Sequence, residues 1–269
     1  MSDAAATLAR LQQVLHPMTP LAVAVSGGVD SMTLAVLAHR ACPGGVRMVH
    51  AVSAAVPEQA TARVRRHAAR EGWELREVDA GEFADPRYRD NPADRCFYCK
   101  SSLYATMSRL CREPLVSGTN CDDLGDYRPG LRAAEQHRVR HPFVEAGIDK
   151  AGVRAIARHL GLSDLAELPA APCLSSRIET GIAIDPRVLP VVNAVERSIG
   201  DALSPRTVRC RVRRAGVVIE LDEACLHALA DVGRAALAAD VARRFAAIGE
   251  LRPVSFAPYR MGSAFLRPA

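Results

Sequence analysis

A segment rich in serine and glycine, Ser26-Gly27-Gly28-Val29-Asp30-Ser31, lies between an apolar run and a segment of helical spacing. Glycine lets the backbone approach an anion closely, serine adds hydroxyl donors, and a following helix offers free N–H groups and the positive end of its dipole. The segment therefore predicts a phosphate-binding loop, and Asp30 is expected to hold Mg²⁺ through the phosphates. It is not the nucleoside-triphosphatase loop, because no lysine follows it. The alternative is a turn whose glycines serve only tight strand–helix packing.

Three of the eight cysteines have a spacing or position that indicates chemistry. Cys96 and Cys99 are three residues apart in a predicted helix, so their thiols share one face. Cys173 lies in a loop expected near the edge of a sheet. In a reducing compartment, cysteines indicate metal binding or catalysis more often than disulfides. The alternatives are buried apolar side chains and a structural zinc site in which Cys111 or Cys121 joins the pair.

An arginine stripe lies on a predicted strand of the C-terminal part. Arg209, Arg211 and Arg213 occupy one face, and Val208, Cys210 and Val212 occupy the other. Arginine forks suit phosphate and carboxylate groups, and the alternative is a solvated strand face. The remaining cysteines, Cys42, Cys210 and Cys225, are interpreted as core residues, and His137 and His141 as part of a solvated face.

Strand-like and helix-like segments alternate along the first part of the chain. Strands are predicted at residues 21–25, 46–52, 74–79 and 114–116, and helices at 4–15, 32–41, 57–70, 94–110 and 149–160. This alternation predicts an open parallel α/β sheet. Right-handed crossovers then bring the loops that follow the strands to one edge, where ligands bind. The serine–glycine segment follows the first strand, and Ser117-Gly118-Thr119 ends the fourth.

A domain boundary is predicted near residue 184, after an irregular stretch at 163–181 that holds two prolines and Cys173. The first domain then spans residues 1–184 and a smaller α+β domain spans residues 185–269. A helix capped by Asp185, with Pro186 in its first turn and Gly200 past its end, is expected to open the second domain. Strands at 207–213 and 217–221, a long helix to about residue 248 and a strand near Val254 complete it.

Composition narrows the classes of protein. The 269 residues are 49% hydrophobic and 24% charged, with a net charge of +5, as in ordinary globular proteins. No run of 18 apolar residues and no secretory leader pattern is present, so we expect a cytoplasmic protein without a membrane partner. Two of the 35 cationic residues are lysines, and the arginine excess favours an anionic substrate. Aromatic residues make up only 4%, which argues against nucleic-acid binding by base stacking.

The serine–glycine segment resembles the pyrophosphate loop (PP-loop) of the adenine nucleotide α-hydrolase-like superfamily, whose Rossmann-like members split ATP between the α and β phosphates. Four further motifs follow in order: Arg95–Lys100, Gly118–Asp123, Asp126–Leu131 and Pro172–Arg177. As a set they resemble the LarE family of ATP-dependent sulfur transferases in nickel-pincer cofactor synthesis. The resemblance spans about residues 20 to 182 and continues more weakly at Arg211–Arg213, Ile219-Glu220 and Tyr259–Ser263, whereas Val254–Pro258 departs from the family pattern.

This resemblance implies a mechanism and a set of site residues. ATP would bind at the loop and at Gly118, Thr119, Asn120 and Asp122. A substrate carboxylate would attack the α phosphate, with Lys100 and Arg177 offsetting the developing charge. A sulfide would then displace AMP. For Asp122 and Asp123 the alternatives are a Mg²⁺ site and a turn formed by Asx side chains.

The sulfide would come from Cys173 itself or from a [4Fe–4S] cluster held by Cys96, Cys99 and Cys173. This chain has all three cysteines and so resembles the cluster-binding members of the family. Three cysteine ligands leave one iron of the cluster open. The family's substrate is a pyridinium carboxylate mononucleotide, a small anionic nucleotide. Its expected contacts are Ser176, Arg211, Arg213, Glu196 and Glu220, of which the two glutamates could instead bind a metal or line a subunit contact. The resemblance also implies a homo-oligomer.

Three other functions stay open. A tRNA thiolase of the same superfamily would carry a basic, aromatic surface and usually an RNA-binding domain. A synthetase that amidates a carboxylate with ammonia would not need the cysteines. A non-enzymatic iron–sulfur or zinc protein could sense nucleotide without turning it over.

Overall fold

In the computed structural model, residues 3–125, 127–170 and 172–266 are described. The chain forms two units: unit 1 consists of Met1–Glu82 and Cys96–Ala171, and unit 2 consists of Phe83–Arg95 and Pro172–Ala269. The expected boundary near residue 184 thus lies inside unit 2, which also includes an earlier segment. Asn91 ties that segment to unit 2, because its Nδ2 donates to the carbonyls of Glu179 and Ile182 at 2.9 and 3.0 Å.

The helices and strands are numbered along the chain. The strands are β1 (Leu21–Ala24), β2 (Val46–Ala51), β3 (Glu74–Val78), β4 (Leu115–Ser117), β5 (Val208–Arg213), β6 (Gly216–Leu221) and β7 (Val254–Pro258). The helices are α1 (Asp3–Leu15), α2 (Val29–Ala41), α3 (Glu58–Glu71), α4 (Pro86–Arg89), α5 (Arg95–Leu110), α6 (Pro129–Gln136), α7 (Pro142–Glu145), α8 (Lys150–His159), α9 (Ser163–Ala166), α10 (Val188–Leu203), α11 (Glu223–Ala228) and α12 (Asp231–Ala246). Short 3₁₀ helices occupy His16–Met18, Glu82–Ala84, Cys121–Gly125 and Leu174–Arg177.

Unit 1 contains a parallel four-stranded sheet with the strand order β3-β2-β1-β4, which confirms the predicted α/β class. Alternate residues of β1 enter two different cores. Val23 packs with α2 and α8 on one face, whereas Ala22 packs with Tyr104 and Met107 of α5 on the other. Burial on both faces explains the unbroken apolar sequence of this strand.

The strand order reverses direction between β1 and β4, because β2 and β3 lie on one side of β1 and β4 lies on the other. In open parallel sheets, ligands bind outside the carboxyl ends of the strands at such a switch point. The loop after β1 carries the serine–glycine segment, and the loop after β4 carries Gly118, Thr119 and Asn120. The fold therefore places both predicted phosphate-binding segments at the position where this class of sheet binds ligands.

Unit 2 contains a three-stranded sheet in which β5 and β6 form an antiparallel hairpin and β7 pairs with β6 in parallel. The apolar face of α10 packs against β5, and α12 packs against β7 and α10. The small α+β arrangement agrees with the expectation for this part of the chain. An isolated bridge joins Ile178 to Val212, so the segment after Cys173 runs alongside β5.

Several predicted elements differ from the structure. The helix expected to start at Asp185 begins at Val188, and Gly200 lies inside it, since a single glycine costs a helix only about 1 kcal/mol. It ends instead where Ser204 adopts a left-handed conformation with φ 47°. The long helix expected to reach residue 248 is two helices, α11 and α12, separated by extended backbone at Leu229 and Ala230.

Short helices account for most of the other differences. Three of them, α4, α6 and α7, begin with a proline in their first turn, a helix-start signal that was applied to Pro186 but not to these segments. The stretch predicted to be irregular at 163–181 contains α9 and a 3₁₀ helix. No helix within the described ranges is long and apolar enough to cross a membrane.

Candidate functional site

The serine–glycine loop is built largely by its backbone and its own hydroxyl groups. Gly27 has φ +80°, and a Cβ there would lie 2.7 Å from the Ala60 carbonyl oxygen of α3. Gly28 has ordinary backbone geometry, and a Cβ there would meet only Ser26 Oγ at 3.5 Å. Gly27 is therefore required for packing, as the alternative interpretation of this turn supposed, whereas Gly28 leaves open space beside the loop. The two serines close the loop, because the Ser26 N–H donates to Ser31 Oγ at 3.0 Å.

The loop after β4 packs directly against this segment. A Cβ on Gly118 would lie 2.6 Å from the Ser31 backbone nitrogen, so only glycine fits between β4 and the first turn of α2. Asn120 lies beside it and donates from Nδ2 to Asp30 Oδ1 at 3.3 Å. The structure thus brings the predicted nucleotide-binding residues of both loops together in unit 1.

Asp30, the expected Mg²⁺ partner, has a neighbour that the sequence analysis did not single out. Lys150, the first residue of α8, places its Nζ 2.7 and 2.6 Å from the two carboxylate oxygens of Asp30. The two side chains are 35% and 25% exposed, respectively. The scarcity of lysine in this chain is the signal that could have drawn attention to Lys150.

Asp122 and Asp123 take part in a turn around Asn120. Asp123 Oδ2 accepts the Asn120 N–H at 3.1 Å, and Asn120 Oδ1 accepts the Asp122 N–H at the same distance. Asp122 Oδ2 also accepts the backbone N–H of Lys150 at 3.2 Å. These contacts match the Asx-turn alternative, and they also place the Asp122 carboxylate beside the start of α8. The Mg²⁺ role of Asp122 stays a prediction.

Helix α5 carries Cys96, Cys99 and Lys100 on its first two turns, so the predicted helix and the shared face of the two thiols are confirmed. Cys96 is exposed and Cys99 is half-buried. Lys100 Nζ lies 5.8 Å from the centre of the Tyr104 ring.

His141 lies near this helix and near the end of β4. Its Nδ1 is 2.9 Å from Ser117 Oγ. Burial is the main cause that lowers the pKa of His141 below its usual value, and the charge of Lys100 lowers it further. His141 is half-buried, so the interpretation of this residue as part of a solvated face holds only in part.

Cys173 lies at the start of the 3₁₀ helix Leu174–Arg177 in unit 2, and its side chain is exposed. We call residues 172–177 the cysteine turn. Arg177 is only 3% exposed and was expected to face the reacting groups. Instead its Nη1 donates to the carbonyls of Pro172 and Cys173 at 2.6 and 3.1 Å. Its catalytic role stays a prediction, and its contacts show a side chain that holds the cysteine turn.

A carboxylate whose side chain is 11% exposed balances the charge of Arg177. Glu196 accepts from Arg177 Nε and Nη2 at 2.9 and 2.8 Å, which is a bidentate pair. Burial is the largest single influence and lowers the pKa of Arg177, but the hydrogen bond to Glu196 and the nearby negative charges together outweigh it, so the net pKa is raised. Glu196 Oε1 also accepts the backbone N–H of Cys210 at 2.9 Å. Glu196 therefore links the cysteine turn to β5.

Arg211 forms a second buried pair beside the first. Its Nε donates to Glu220 at 3.0 Å, and its Nη1 donates to the Ser176 carbonyl at the same distance. Arg211 is 4% exposed and Glu220 is 1% exposed, so the stripe is not a solvated strand face at this position. Glu220 also accepts from Arg213 and from the hydroxyl of Ser263, both at 2.5 Å. The buried network thus engages Ser176, Arg211, Arg213, Glu196 and Glu220, the residues expected to contact substrate.

Two residues from the earlier segment of unit 2 complete the support of the cysteine turn. Tyr88 and Ser175 share a buried hydrogen bond of 2.6 Å between their hydroxyl groups. Asn91 donates to the carbonyl of Ile178 at 3.3 Å, in addition to its bonds further along the chain. Sequence reasoning missed both, because nothing in their local pattern indicates a partner so distant along the chain.

The cysteines provide the type of ligand atom that a metal cluster requires. All eight lie within the described ranges and none forms a disulfide. Thiolates are the ligands that iron–sulfur clusters use, so the donor types of Cys96, Cys99 and Cys173 fit such a group. Among the residues that the structure describes, no three His, Cys, Asp or Glu side chains are grouped closely enough to hold a metal ion.

The other cysteine interpretations have mixed outcomes. Cys42 and Cys210 are buried, as expected of core residues, whereas Cys225 is only half-buried. Asp126, which opens one of the quoted motifs, lies outside the described residues.

Comparison with known proteins identifies relatives that cover from 49% to 83% of the chain. No family model matches. The uncharacterized protein slr1717 of Synechocystis is 35% identical over 193 residues, which cover 70% of this chain and 72% of the relative. The pyridinium-3,5-bisthiocarboxylic acid mononucleotide synthase of Lactiplantibacillus plantarum is 28% identical over 233 residues, covering 83% of this chain and 82% of the synthase. The uncharacterized protein MJ0830 of Methanocaldococcus jannaschii is 28% identical over 49% of this chain and 53% of its own length.

Proposed function

We propose that this chain, which belongs to the same family as the uncharacterized Synechocystis protein slr1717, is an ATP-dependent sulfur transferase. The proposed substrate is a pyridinium carboxylate mononucleotide, a carboxylate of which is adenylated and then converted to a thiocarboxylate. The similarity to the bisthiocarboxylic acid mononucleotide synthase, over 83% of this chain, supports this substrate and a place in nickel-pincer cofactor synthesis.

One observation carries the proposal: a serine–glycine loop that leads into the N-terminus of a long helix lies at the switch point of the parallel sheet. The loop offers the Ser26 and Ser31 hydroxyls and the N-terminus of α2, a helix of 13 residues. Backbone N–H groups at such a terminus stabilise phosphate. Open space beside Gly28 and the close packing of Gly118 both suit a bound triphosphate. We therefore assign ATP to this loop, with Mg²⁺ near Asp30.

The proposed reaction proceeds in two balanced steps. A carboxylate oxygen of the substrate attacks the α phosphorus of ATP, and pyrophosphate leaves with its bonding electron pair. A sulfide then attacks the carbonyl carbon of the acyl adenylate, and AMP leaves with the carboxylate oxygen. Activation is needed because a free carboxylate is a poor acyl donor. Lys100 is the cation that we propose to stabilise the negative charge that develops in the first step. The other lysine, Lys150, contacts Asp30 in the loop.

The sulfur supply has two candidates. Cys173 is exposed and is the first candidate. Its thiol would attack the acyl adenylate and displace AMP, and loss of the Cα proton would then break the Cβ–Sγ bond, which releases the thiocarboxylate and leaves dehydroalanine. Alternatively, Cys96, Cys99 and Cys173 would hold a [4Fe–4S] cluster, which when bound would supply a transferable sulfide. The mass of the protein after turnover distinguishes the two, because only the first leaves dehydroalanine at position 173.

The arginine stripe suggests how the anionic parts of the substrate are bound. Arg211 is buried and donates to Glu220 and to the cysteine turn. Arg213 also donates to Glu220 but its side chain is 28% exposed, and Arg209 is half-buried. We therefore propose Arg209 and Arg213 for the substrate's phosphate or carboxylate. Ser176, whose carbonyl binds Arg211, is proposed to contact the substrate through its hydroxyl.

The test is exchange of labelled pyrophosphate into ATP. The proposal expects exchange that requires both Mg²⁺ and a pyridinium carboxylate mononucleotide, with AMP rather than ADP as product. Exchange stimulated instead by tRNA would favour a tRNA thiolase. Conversion of the carboxylate to an amide when ammonia is supplied, with no thiocarboxylate formed, would favour an amidating synthetase. ADP formation, or no exchange with any carboxylate nucleotide, would contradict the proposal.

A further inference from the structure

One side chain from outside the serine–glycine loop, Arg63 of α3, supplements the backbone supports of that loop. Its Nη1 donates to the Gly27 carbonyl oxygen at 2.7 Å. Ala60 lies one turn earlier on the same face of α3, and its carbonyl oxygen is the atom that a Cβ on Gly27 would meet at 2.7 Å. Helix α3 therefore approaches Gly27 both with its backbone and with an arginine side chain.

The peptide between Gly27 and Gly28 has little steric restraint of its own, because glycine lies on both sides of it. In the described part of the chain, two hydrogen bonds act on this peptide. Its carbonyl accepts from Arg63 at 2.7 Å, and its N–H, that of Gly28, donates to Ser26 Oγ at 3.4 Å. The second bond is longer than the usual range of about 2.7–3.2 Å. The charge-assisted bond from Arg63 is therefore the main restraint on the direction of this peptide.

The direction of this peptide determines whether the loop attracts or repels an anion. In a planar trans peptide the carbonyl and the N–H point in opposite directions. Since the Gly27 carbonyl is held toward α3, the Gly28 N–H points away from that helix. It can exchange its long contact with Ser26 for a phosphate oxygen, next to the N-terminus of α2. The reversed peptide would present a carbonyl oxygen to the phosphate and repel it.

The surroundings of Arg63 are unfavourable for a cation. The side chain is half-buried. Burial is the main cause that lowers the pKa of Arg63, the charge of Arg66 lowers it further, and Asp164 opposes the change. Asp164, however, forms its hydrogen bond with His67 Nε2, at 2.9 Å. A guanidinium that is half-buried near another cation and bonded to a backbone carbonyl is better explained by a role at Gly27 than by charge pairing.

We propose that Arg63 is a positioning residue for nucleotide binding, which fixes the peptide between Gly27 and Gly28 so that its N–H faces the phosphates. This inference rests on the proposed function, since it requires the phosphates of ATP at the loop of residues 26–31. Arg63 does not need to touch the nucleotide itself. Its replacement should therefore weaken binding because an N–H loses its orientation, and not because a charge is lost.

The first test measures the affinities of Mg·ATP and Mg·pyrophosphate by calorimetry in wild type, Arg63→Met and Arg66→Met. Both variants lose one positive charge from α3, Arg66 is exposed, and methionine is a good helix former. For Arg63→Met we expect about tenfold weaker binding of both ligands, the size of one hydrogen bond to a charged group. Arg66→Met should change the affinities by less than about twofold, because solvent and salt screen an exposed charge.

The same titrations at high salt separate orientation from charge. In about 1 M salt, exposed charges interact only over about 3 Å. The deficit of Arg63→Met relative to wild type should persist there, because the orientation of a peptide does not depend on screening. A deficit that disappears at high salt would show that Arg63 acts through its charge, and the positioning role would be wrong.

The second test observes the peptide directly by NMR, without nucleotide. The chain has two Gly-Gly steps, Gly27-Gly28 and Gly44-Gly45. With glycine labelled by ¹³C at the carbonyl and by ¹⁵N, a spectrum that correlates each amide with the preceding carbonyl therefore contains two signals. Gly28→Ala removes one of them and so assigns it. In Arg63→Met the Gly27-Gly28 signal should shift or split, whereas the Gly44-Gly45 signal should stay in place and show that the variant is folded. In Arg66→Met both signals should keep their wild-type positions.

The outcomes separate this inference from the proposed function. If wild type binds neither Mg·ATP nor Mg·pyrophosphate, the proposed function fails, and the labelled spectrum still shows whether Arg63 holds the peptide. If wild type binds them and Arg63→Met binds them equally tightly, or if both variants lose the same affinity, Arg63 is not a positioning residue. A Gly27-Gly28 signal that is unchanged in Arg63→Met would also overturn the inference.

Discussion

The proposed phosphate-binding loop and the cysteine turn are both short segments that carry candidate functional groups, but they are stabilised in different ways. The loop of residues 26–31 depends on backbone: a glycine with positive φ, a helix terminus and two serines of its own sequence. The cysteine turn depends on side chains from elsewhere in unit 2. Arg177 and Arg211 donate to its carbonyl groups, and each arginine is paired with a buried glutamate.

The difference shows two ways to hold a reactive segment. A loop built from backbone exposes N–H groups and suits an anion that arrives and leaves. A turn whose carbonyls are bound by buried guanidinium groups keeps its exposed thiol in one place, but it depends on charges that are costly to bury. The effects of variants that remove one support from each segment should therefore differ in magnitude and in the property that changes.

The largest effect is expected in the network of the cysteine turn. Glu220→Gln leaves Arg211, which is 4% exposed, without its compensating charge. Breaking a buried pair in this way costs about 3–5 kcal/mol. The free energy of unfolding from urea titration should fall by that amount. Glu250→Gln, which breaks the more exposed pair with Arg252, should cost less than about 1 kcal/mol. Equal losses in the two variants would show that the buried network does not stabilise unit 2.

A smaller effect is expected in the loop. Gly27→Ala must place a Cβ 2.7 Å from the Ala60 oxygen at φ +80°. Backbone strain of this kind costs about 1–3 kcal/mol, and we expect ATP affinity to fall with it. Gly28→Ala is the control, because its Cβ would meet only Ser26 Oγ at 3.5 Å. Denaturant titration and calorimetry should show a clear loss for Gly27→Ala and near wild-type stability for Gly28→Ala. The opposite order would contradict the backbone account of this loop.

A local effect is expected when Arg177 is replaced by lysine. Lysine keeps the charge near Glu196 but cannot also donate to the carbonyls of Pro172 and Cys173. The amide hydrogens of Ser176 and Ile178, which bond within the turn, should then exchange about tenfold faster in hydrogen–deuterium exchange. Arg187→Lys, which alters an exposed pair with Asp185, should leave their exchange unchanged. Unchanged exchange in Arg177→Lys would mean that this arginine does not hold the turn.

The smallest effect concerns pH and unit 1. His50 is 1% exposed, and its ring nitrogens lie 2.8 Å from the Val25 carbonyl and 2.9 Å from the Thr61 hydroxyl. Burial is the main cause that lowers the pKa of His50 below its usual value of 6.5. The unfolded chain therefore takes up a proton below about pH 6.5 that the folded chain excludes, and stability should fall as the pH is lowered through that range. His67 and His141, whose pKa values burial also lowers, add to the effect.

The slope of the free energy of unfolding against pH reports how many more protons the unfolded chain binds than the folded chain. His50→Gln should reduce this number by up to about one, whatever its effect on stability at neutral pH. His159→Gln, at an exposed position of α8, serves as the control and should keep the wild-type slope. The slopes are obtained from denaturant titrations between about pH 5 and about pH 8. This range extends roughly one pKa unit or more to each side of the unperturbed histidine value. Identical slopes in wild type and His50→Gln would show that His50 does not exclude a proton.

The sequence was informative where a local pattern decides the structure. The parallel sheet, the loop after β1 and the helix with Cys96 and Cys99 follow from apolar runs, glycine positions and helical spacing. The supports of the cysteine turn could not be predicted in this way, because Tyr88 and Asn91 lie far from it in sequence. Glu220 is an intermediate case: the hairpin was predicted but its register was not, and only the structure places Glu220 opposite Arg209.

The central claim, that a carboxylate is activated by transfer to the α phosphate, is tested most directly with oxygen isotopes. A substrate labelled with ¹⁸O in its carboxylate is turned over with unlabelled ATP in ordinary water, and the AMP is analysed by mass spectrometry. The account predicts one ¹⁸O atom in each AMP, because the bridging oxygen of the acyl adenylate leaves with the phosphate when sulfur displaces it. AMP without label, formed alongside thiocarboxylate, would contradict adenylation of the substrate.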